Sequence, residues 1–218
     1  MKIEWNSPGP VSGAFMDARN DVDALMGPIG AGKTTTNLFK HMTLATEGLP
    51  SPADGVRRYR LGVVRDTYRE LWSSTIPSWW KRVPPDTGEW TGGHDQPAVH
   101  RIRFDDGRGL IEYEVWFRAI GEQAVEAALR GVEVTSWYLN EADLLAPGVF
   151  IYCRSRMGRF PDKSLHGEPA YYCTTMDFNA PAIDNYLYLL LVEAPPPKFN
   201  LFVQPSGFDP QKLLSRCW

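Results

Sequence analysis

Cysteine is scarce in this 218-residue chain: Cys153, Cys173 and Cys217 are its three, and no two of them are spaced as CxxC. That excludes a disulfide framework, which needs even pairing, and a thiolate zinc site, and it fits a reducing compartment. An excess of positive charge is missing too. Lys and Arg number 23 against 26 Asp and Glu, a formal net charge of -3, so no global field draws the chain to nucleic acid or anionic membrane, and any DNA contact is local. Long apolar runs are absent: the strongest, YLYLLLV at Tyr186–Val192, falls far short of the ~20 residues that span a bilayer. The opening MKIEWNSPGPV has no apolar signal core, so neither export nor membrane anchoring is expected. Repeats and low-complexity tracts are lacking as well, and His41, His94, His100 and His166 have no metal-ligand spacing, so no zinc site is expected.

What is there is a globular composition, 43% hydrophobic and 22% charged, on a length that suits one α/β domain with its own core. Proline and glycine punctuate alternating short strands and helices. Ala24–Met26 reads as a strand entering a Gly-rich turn, and Lys33 to about Thr46 as a helix ended by Gly48 and Pro50. Tyr59–Val64 is a second strand, followed by an amphipathic helical stretch from Thr67 that carries Leu71, Trp72, Trp79 and Trp80. Ala98–Phe104 and Leu110–Phe117 form a hairpin about Asp105, Asp106 and Gly107. Further on, the pattern predicts a short helix at Glu122–Leu129 closed by Gly131, a strand at Glu133–Leu139 and a helix at Pro147–Arg159. A strand at Ala170–Thr175, a helix at Ala182–Val192 and a last strand at Phe199–Val203 complete it. Such alternation implies a mainly parallel sheet flanked by helices on both faces, with a β-hairpin excursion near 98–117.

One motif carries chemistry outright. Gly27–Thr34 reads GPIGAGKT and matches GxxxxGK[ST] at every fixed position, after a strand and opening a helix. The glycines let backbone N–H groups face inward, where they and the helix N-terminus cradle phosphate oxygens. The nucleotide-binding set is therefore Gly27, Gly30, Ala31, Gly32, Lys33, Thr34 and Thr35, with Lys33 reaching the β and γ phosphates and the Thr34 hydroxyl placed to ligate Mg2+.

A P-loop alone does not name a reaction. No NKxD guanine reader and no LSGGQ signature is present, and the DxxG at Asp106–Gly109 falls in the hairpin turn. VTSWYLNEAD, Val134–Asp143, is an apolar strand ending in polar residues, the layout of a second NTPase motif. Glu141 is placed to activate the attacking water as general base, while Asp143 reads more simply as a cap before the Pro147 helix. Asn140 stands where a metal-side aspartate is usual. Its carbonyl oxygen carries no charge, so it would hold Mg2+ through water less firmly, leaving either a tolerated variant or a site of slow turnover.

The ordered set PGPV before Phe15, GPIGAGKT, VVRDTYRELWSSTIPSW (Val63–Trp79), ALRG (Ala128–Gly131), LNEAD and CTTMDFNAP (Cys173–Pro181) resembles the ATPase domain of the large terminase subunit of tailed bacteriophages. The resemblance implies a P-loop NTPase of the RecA-like additional-strand type over 1–204, hydrolysing ATP with Mg2+ to drive double-stranded DNA into a procapsid. It implies as partners a portal protein and a small terminase subunit, a homo-oligomeric ring when assembled and a monomer in isolation, in the cytoplasm of the infected bacterial host. Arg130 matches an arginine finger offered to a neighbouring subunit; as a residue it is equally a helix-end cation. Thr174 and Thr175 match a coupling motif that senses the γ phosphate, though a threonine pair is also plain β propensity. The run Arg154, Arg156, Arg159 and Lys163 suits either a DNA backbone or a solvated helix face, and Arg65 and Arg69 suit either contact with phosphate or DNA or solvated helix-start charges, the latter reading preferred. No nuclease domain is expected, since residues 205–218 read as a tail or linker with a single acid, Asp209. A nucleotide-binding module with little turnover and a P-loop kinase of a small substrate stay open as alternatives.

Overall fold

A computed structural model describes Ser7 and residues 9–205. Pro8 of the PGPV segment, Cys217 and the expected tail past Pro205 lie outside the described residues. Eight strands form one sheet: β1 Val22–Met26, β2 Arg57–Arg65, β3 Glu89–Thr91, β4 Ala98–Asp105, β5 Leu110–Ala119, β6 Ser136–Asn140, β7 Thr174–Phe178 and β8 Phe199–Val203. Their order is β3-β4-β5-β2-β6-β7-β1-β8, and from β5 to β8 every pairing is parallel. β7 lies between the P-loop strand β1 and the acidic strand β6, which is the additional-strand arrangement expected of the fold. The hairpin forms where its pattern placed it, and β5 also pairs with β2 along its length, so β4 and β3 become an antiparallel edge of the main sheet.

Helices cover both faces: α1 Pro10–Asp17, α2 Lys33–Thr46, α3 Tyr68–Glu70, α4 Ile76–Trp80, α5 Val125–Ala128, α6 Pro147–Arg156, α7 Lys163–His166 and α8 Tyr186–Tyr188. Strand alternation sorts side chains between two cores. Leu61, Val63, Tyr138 and Phe117 meet Leu38 and Met42 of α2 and Ile76 and Trp79 of α4. On the other face Val64, Trp137, Leu139 and Met176 meet Val149, Phe150 and Cys153 of α6. Gly62 sits opposite Trp137 in the β2–β6 register, and a Cβ there would lie 2.3 Å from the indole Cζ3, so the indole lies flat over the glycine.

Three local features set up the site. The stretch from Tyr68 to Trp80 is helical as expected but contains a π-helical turn, Leu71–Thr75, between α3 and α4. That extra residue per turn shifts the helix phase, so Ser74 and Thr75 reach the ends of β2 and β6 while Trp72 and Trp80 meet Trp90 of β3 edge to face. Lys40 of α2 and Asp23 of β1, both fully buried, pair at 2.8 Å, and the ammonium also donates to the carbonyls of Phe15 and Ala18, fastening α1 beside the P-loop strand. At the other end of β2, Arg57 grips Asp106 and the Gly109 carbonyl, so the DxxG segment is a hairpin turn.

Candidate active site

Gly32 takes the left-handed conformation, φ 78°, that turns the chain into α2, and the first N–H groups of that helix are left for a ligand at the C-terminal end of the parallel strands. A cleft of about 280 Å³ opens there, lined by Ile29 to Thr35 together with Arg65, Ser74, Ser78, Glu141, Asp177 and Asn179. Gly30, Ala31, Gly32, Lys33, Thr34, Thr35 and Glu141 of the expected site thus share one cleft. Lys33 Nζ donates to the carbonyls of Gly27 (2.7 Å) and Pro28 (2.9 Å) and to Asn179 Oδ1 (3.1 Å). Burial lowers its pKa, against the opposing pull of Asp177, Glu141 and Asp143.

Behind the loop lies a buried polar cluster centred on Asp177, 1% exposed, at the C-terminal end of β7. Its Oδ2 accepts from the Thr34 hydroxyl at 3.1 Å and from Tyr138 OH at 2.9 Å. Its Oδ1 accepts from Asn140 Nδ2 and from the Glu141 backbone N–H, each at 2.9 Å. Asn140 faces it directly across the β6–β7 register. The amide of Asn140 is oriented by its neighbours: Arg65 Nη1 (2.7 Å) only donates, so it meets Oδ1, and the Asp177 carboxylate only accepts, so it meets Nδ2. Thr75 Oγ1 also donates to that Oδ1, at 2.5 Å. The water-mediated metal role expected of the Asn140 carbonyl oxygen therefore needs correction: Oδ1 is taken by Arg65 and Thr75, and the side turned to Thr34 (3.4 Å) is the NH2 group, which accepts neither a cation nor a hydrogen bond from metal-bound water.

Glu141 adopts φ 52°, ψ 55°, a left-handed conformation that costs a non-glycine residue about 1–2 kcal/mol, and the Asp177 carboxylate holds its N–H there. Its Oε2 pairs with Arg65 Nη2 at 2.7 Å. Arg65 is thus a buried organiser rather than a solvated helix-start charge, whereas Arg69 is exposed. Asp143 does not cap α6, whose N-cap is Ala146; it sits in the turn Ala142–Leu144, where burial raises its pKa. Among the described residues no group of three or more His, Cys, Asp or Glu is arranged to hold a metal. The Thr34 hydroxyl and the Asp177 carboxylate are hard oxygen donors of the kind Mg2+ takes, and such a site completes its shell with phosphate oxygens and water.

No protein-family model and no curated protein matches the chain. Solved structures do. The large terminase of a thermophilic bacteriophage superposes with a TM-score of 0.64 at 12% identity, over 95% of this chain and 50% of that one. The same terminase in complex with ADP gives 0.59 at 14% identity, over 98% and 47%. The large terminase ATPase domain of Thermus phage P74-26 gives 0.55 at 13% identity, over 96% and 85%. The fold is that of large terminase ATPase domains. The chain spans about half the length of the first of these terminases.

Within this terminase fold the remaining expected residues lie apart from the cleft. Arg130, past the end of α5, is exposed, and among the described residues no hydrogen bond or ion pair reaches it. Thr174 and Thr175 are fully buried, which corrects their expected place at the γ phosphate. Thr174 Oγ1 meets the Met157 sulfur on the α6 face, and Thr175 Oγ1 bonds His41 Nε2 of α2, whose Nδ1 meets Tyr59 OH. The strand runs three residues past the expected end at Thr175, so Asp177 and Asn179 reach the loop instead. Asp177 is what sequence reasoning missed, the signal being the carboxylate inside CTTMDFNAP; Arg65 was singled out, but not its contacts with Asn140 and Glu141. Of the basic run, Arg154 lies over the Phe199 ring, Arg156 over Tyr152, and Lys163 pairs with Glu168.

Proposed function

We propose that this chain is a Mg2+-dependent ATPase whose turnover drives double-stranded DNA into a viral procapsid. The observation that carries this reading is the convergence of Lys33, Thr34 and Glu141 on one cleft at the strand ends of a terminase-type sheet. The loop N–H groups and the α2 N-terminus bind phosphate oxygens, and Lys33, partly stripped of water, presents its ammonium to the β and γ groups. Glu141 takes the proton of a water attacking the γ phosphorus as the bond to the ADP oxygen breaks. Its fixed backbone and its Arg65 contact aim that carboxylate. Mg2+ bound at Thr34 would neutralise charge on the phosphates. Arg130, outward and unpaired, suits a finger serving a neighbouring subunit of a homo-oligomeric ring in the host cytoplasm, with portal protein, small terminase subunit and DNA as partners.

A second reading, a nucleotide-binding module with little turnover, is favoured by the Arg65–Glu141 ion pair, which occupies the proposed base. Steady-state phosphate release with and without double-stranded DNA separates the two. Lys33→Ala is expected to abolish turnover and weaken ATP binding, and Glu141→Gln to bind ATP while release falls by roughly 10²–10⁴. Turnover in wild type that Lys33→Ala leaves untouched refutes the P-loop assignment.

A further inference from the structure

An asparagine where a metal-side aspartate is usual reads, in sequence, as a weakened site. The cross-strand geometry gives it another meaning. Asn140 and Asp177 are register partners on adjacent strands, and their side chains meet at 2.9 Å between amide and carboxylate. An aspartate at 140 would set two buried carboxylates at hydrogen-bond distance, where both cannot ionise. One charge fits this pair, and it stands on β7. We propose that Asp177 is the metal-side carboxylate of this site, and that Asn140 is its neutral amide partner, an exchange of roles between neighbouring strands.

Two independent observations support it. Asp177 is the carboxylate that touches the P-loop hydroxyl, at 3.1 Å from Thr34, the contact a metal-side acid must make to share a cation with that threonine. Asp177 is also 1% exposed, yet among the described residues no Lys, Arg or His lies within ion-pair distance of it. Its four partners are a threonine hydroxyl, a tyrosine hydroxyl, an amide and a backbone N–H, all neutral. A buried carboxylate whose direct partners are all neutral dipoles, with Lys33 acting on it only from beyond ion-pair distance, is poised for a cation that arrives with the ligand. Because the same carboxylate holds the Glu141 N–H, it joins the metal side of the cleft to the water side.

This inference rests on the nucleotide reading above, and its test keeps the two apart. Mn2+ serves as the spectroscopic stand-in for Mg2+, titrated by electron paramagnetic resonance into the full chain with the non-hydrolysable analogue adenylyl imidodiphosphate. The affinity of the analogue is measured separately in EDTA. Asp177→Asn is expected to bind the analogue in EDTA within about twofold of wild type and to lose about 10–100-fold in Mn2+ affinity. The exchanged variant, Asn140→Asp with Asp177→Asn, restores one charge to the pair and is expected to recover most of that loss. Wild-type Mn2+ affinity in folded Asp177→Asn, or no recovery in a folded exchanged variant, overturns the proposal. Should Asp177→Asn fail to fold, the exchanged variant decides: near-wild-type affinity supports the assignment and a loss of tenfold or more overturns it. Failure of wild type to bind the analogue under either condition overturns the nucleotide reading itself.

Discussion

Mild acid should loosen this fold through one histidine. His41 is fully buried on α2, between Tyr59 OH and Thr175 Oγ1 at 2.8 Å each, and burial, with Lys40 beside it, holds its pKa well below the ordinary 6.5. In the unfolded chain it titrates normally. Below 6.5 the unfolded state therefore binds a proton that the native state refuses, and stability falls as pH falls until the native pKa is reached. One unit below 6.5 the cost reaches RT ln(1 + 10), about 1.4 kcal/mol, wherever the native pKa lies lower still. His100, whose pKa burial also lowers, adds in the same direction, while Asp143, raised by burial, opposes it nearer the carboxylate range. The carboxylates of Asp54 and Asp106, held low by Arg58 and Arg57, lose stability mainly below the ordinary 3.8, so in the window above it the difference between wild type and a His41 variant reads His41 itself. Urea denaturation of wild type and His41→Gln across that window measures the difference. The variant should lose about one proton's worth of slope. Equal slopes in the two proteins would refute a neutral buried His41.

Two further outcomes follow from particular contacts. Gly62→Ala drives a methyl group into the fully buried Trp137 indole, 2.3 Å from Cζ3, and should cost about 1–3 kcal/mol or more, seen as a Tm lower by several degrees; an unchanged Tm would show that the β2–β6 pair yields. Arg130→Ala should keep wild-type ATP affinity yet stay slow at every protein concentration. Lys33→Ala chains, inactive but carrying Arg130, should partly rescue it in mixed assemblies, since a finger is worth about 10³ or more. Confirmed co-assembly without rescue would return Arg130 to the role of a helix-end cation.

Local signals were legible and cross-strand ones were not. Lys33–Thr46 and Phe199–Val203 form with the bounds their patterns predict, because a Gly-rich turn and flanking prolines mark them in the chain itself. β7 was displaced: aromatic and β-branched residues favour Ala170–Thr175, whereas the strand is Thr174–Phe178. An aspartate inside a strand runs against β propensity. It is tolerated here because Tyr138, Thr34 and Asn140, from a neighbouring strand and the loop, supply its hydrogen bonds. Arg65 stayed between two readings in sequence for the same reason, since its partners Asn140 and Glu141 are distant in sequence and adjacent only once β2 and β6 pair. Arg130 shows the converse: its motif is readable in sequence, while among the described residues no hydrogen bond or ion pair reaches it.

The π-helical turn at Leu71–Thr75 makes one short helix face two ways. Ser74 and Thr75 are bonded to Arg65 and Asn140 at the cleft, while Trp72 and Trp80 meet each other and Trp90 edge to face, with ring centroids 4.9–6.0 Å apart. The residues bonded at the cleft and the Trp72 indole thus lie within a few positions of one another on the same turn, and indole emission depends on mutual geometry and wetting. Tryptophan emission of the unlabelled protein, followed by stopped flow on mixing with nucleotide, therefore tests whether this cluster responds when the cleft is filled.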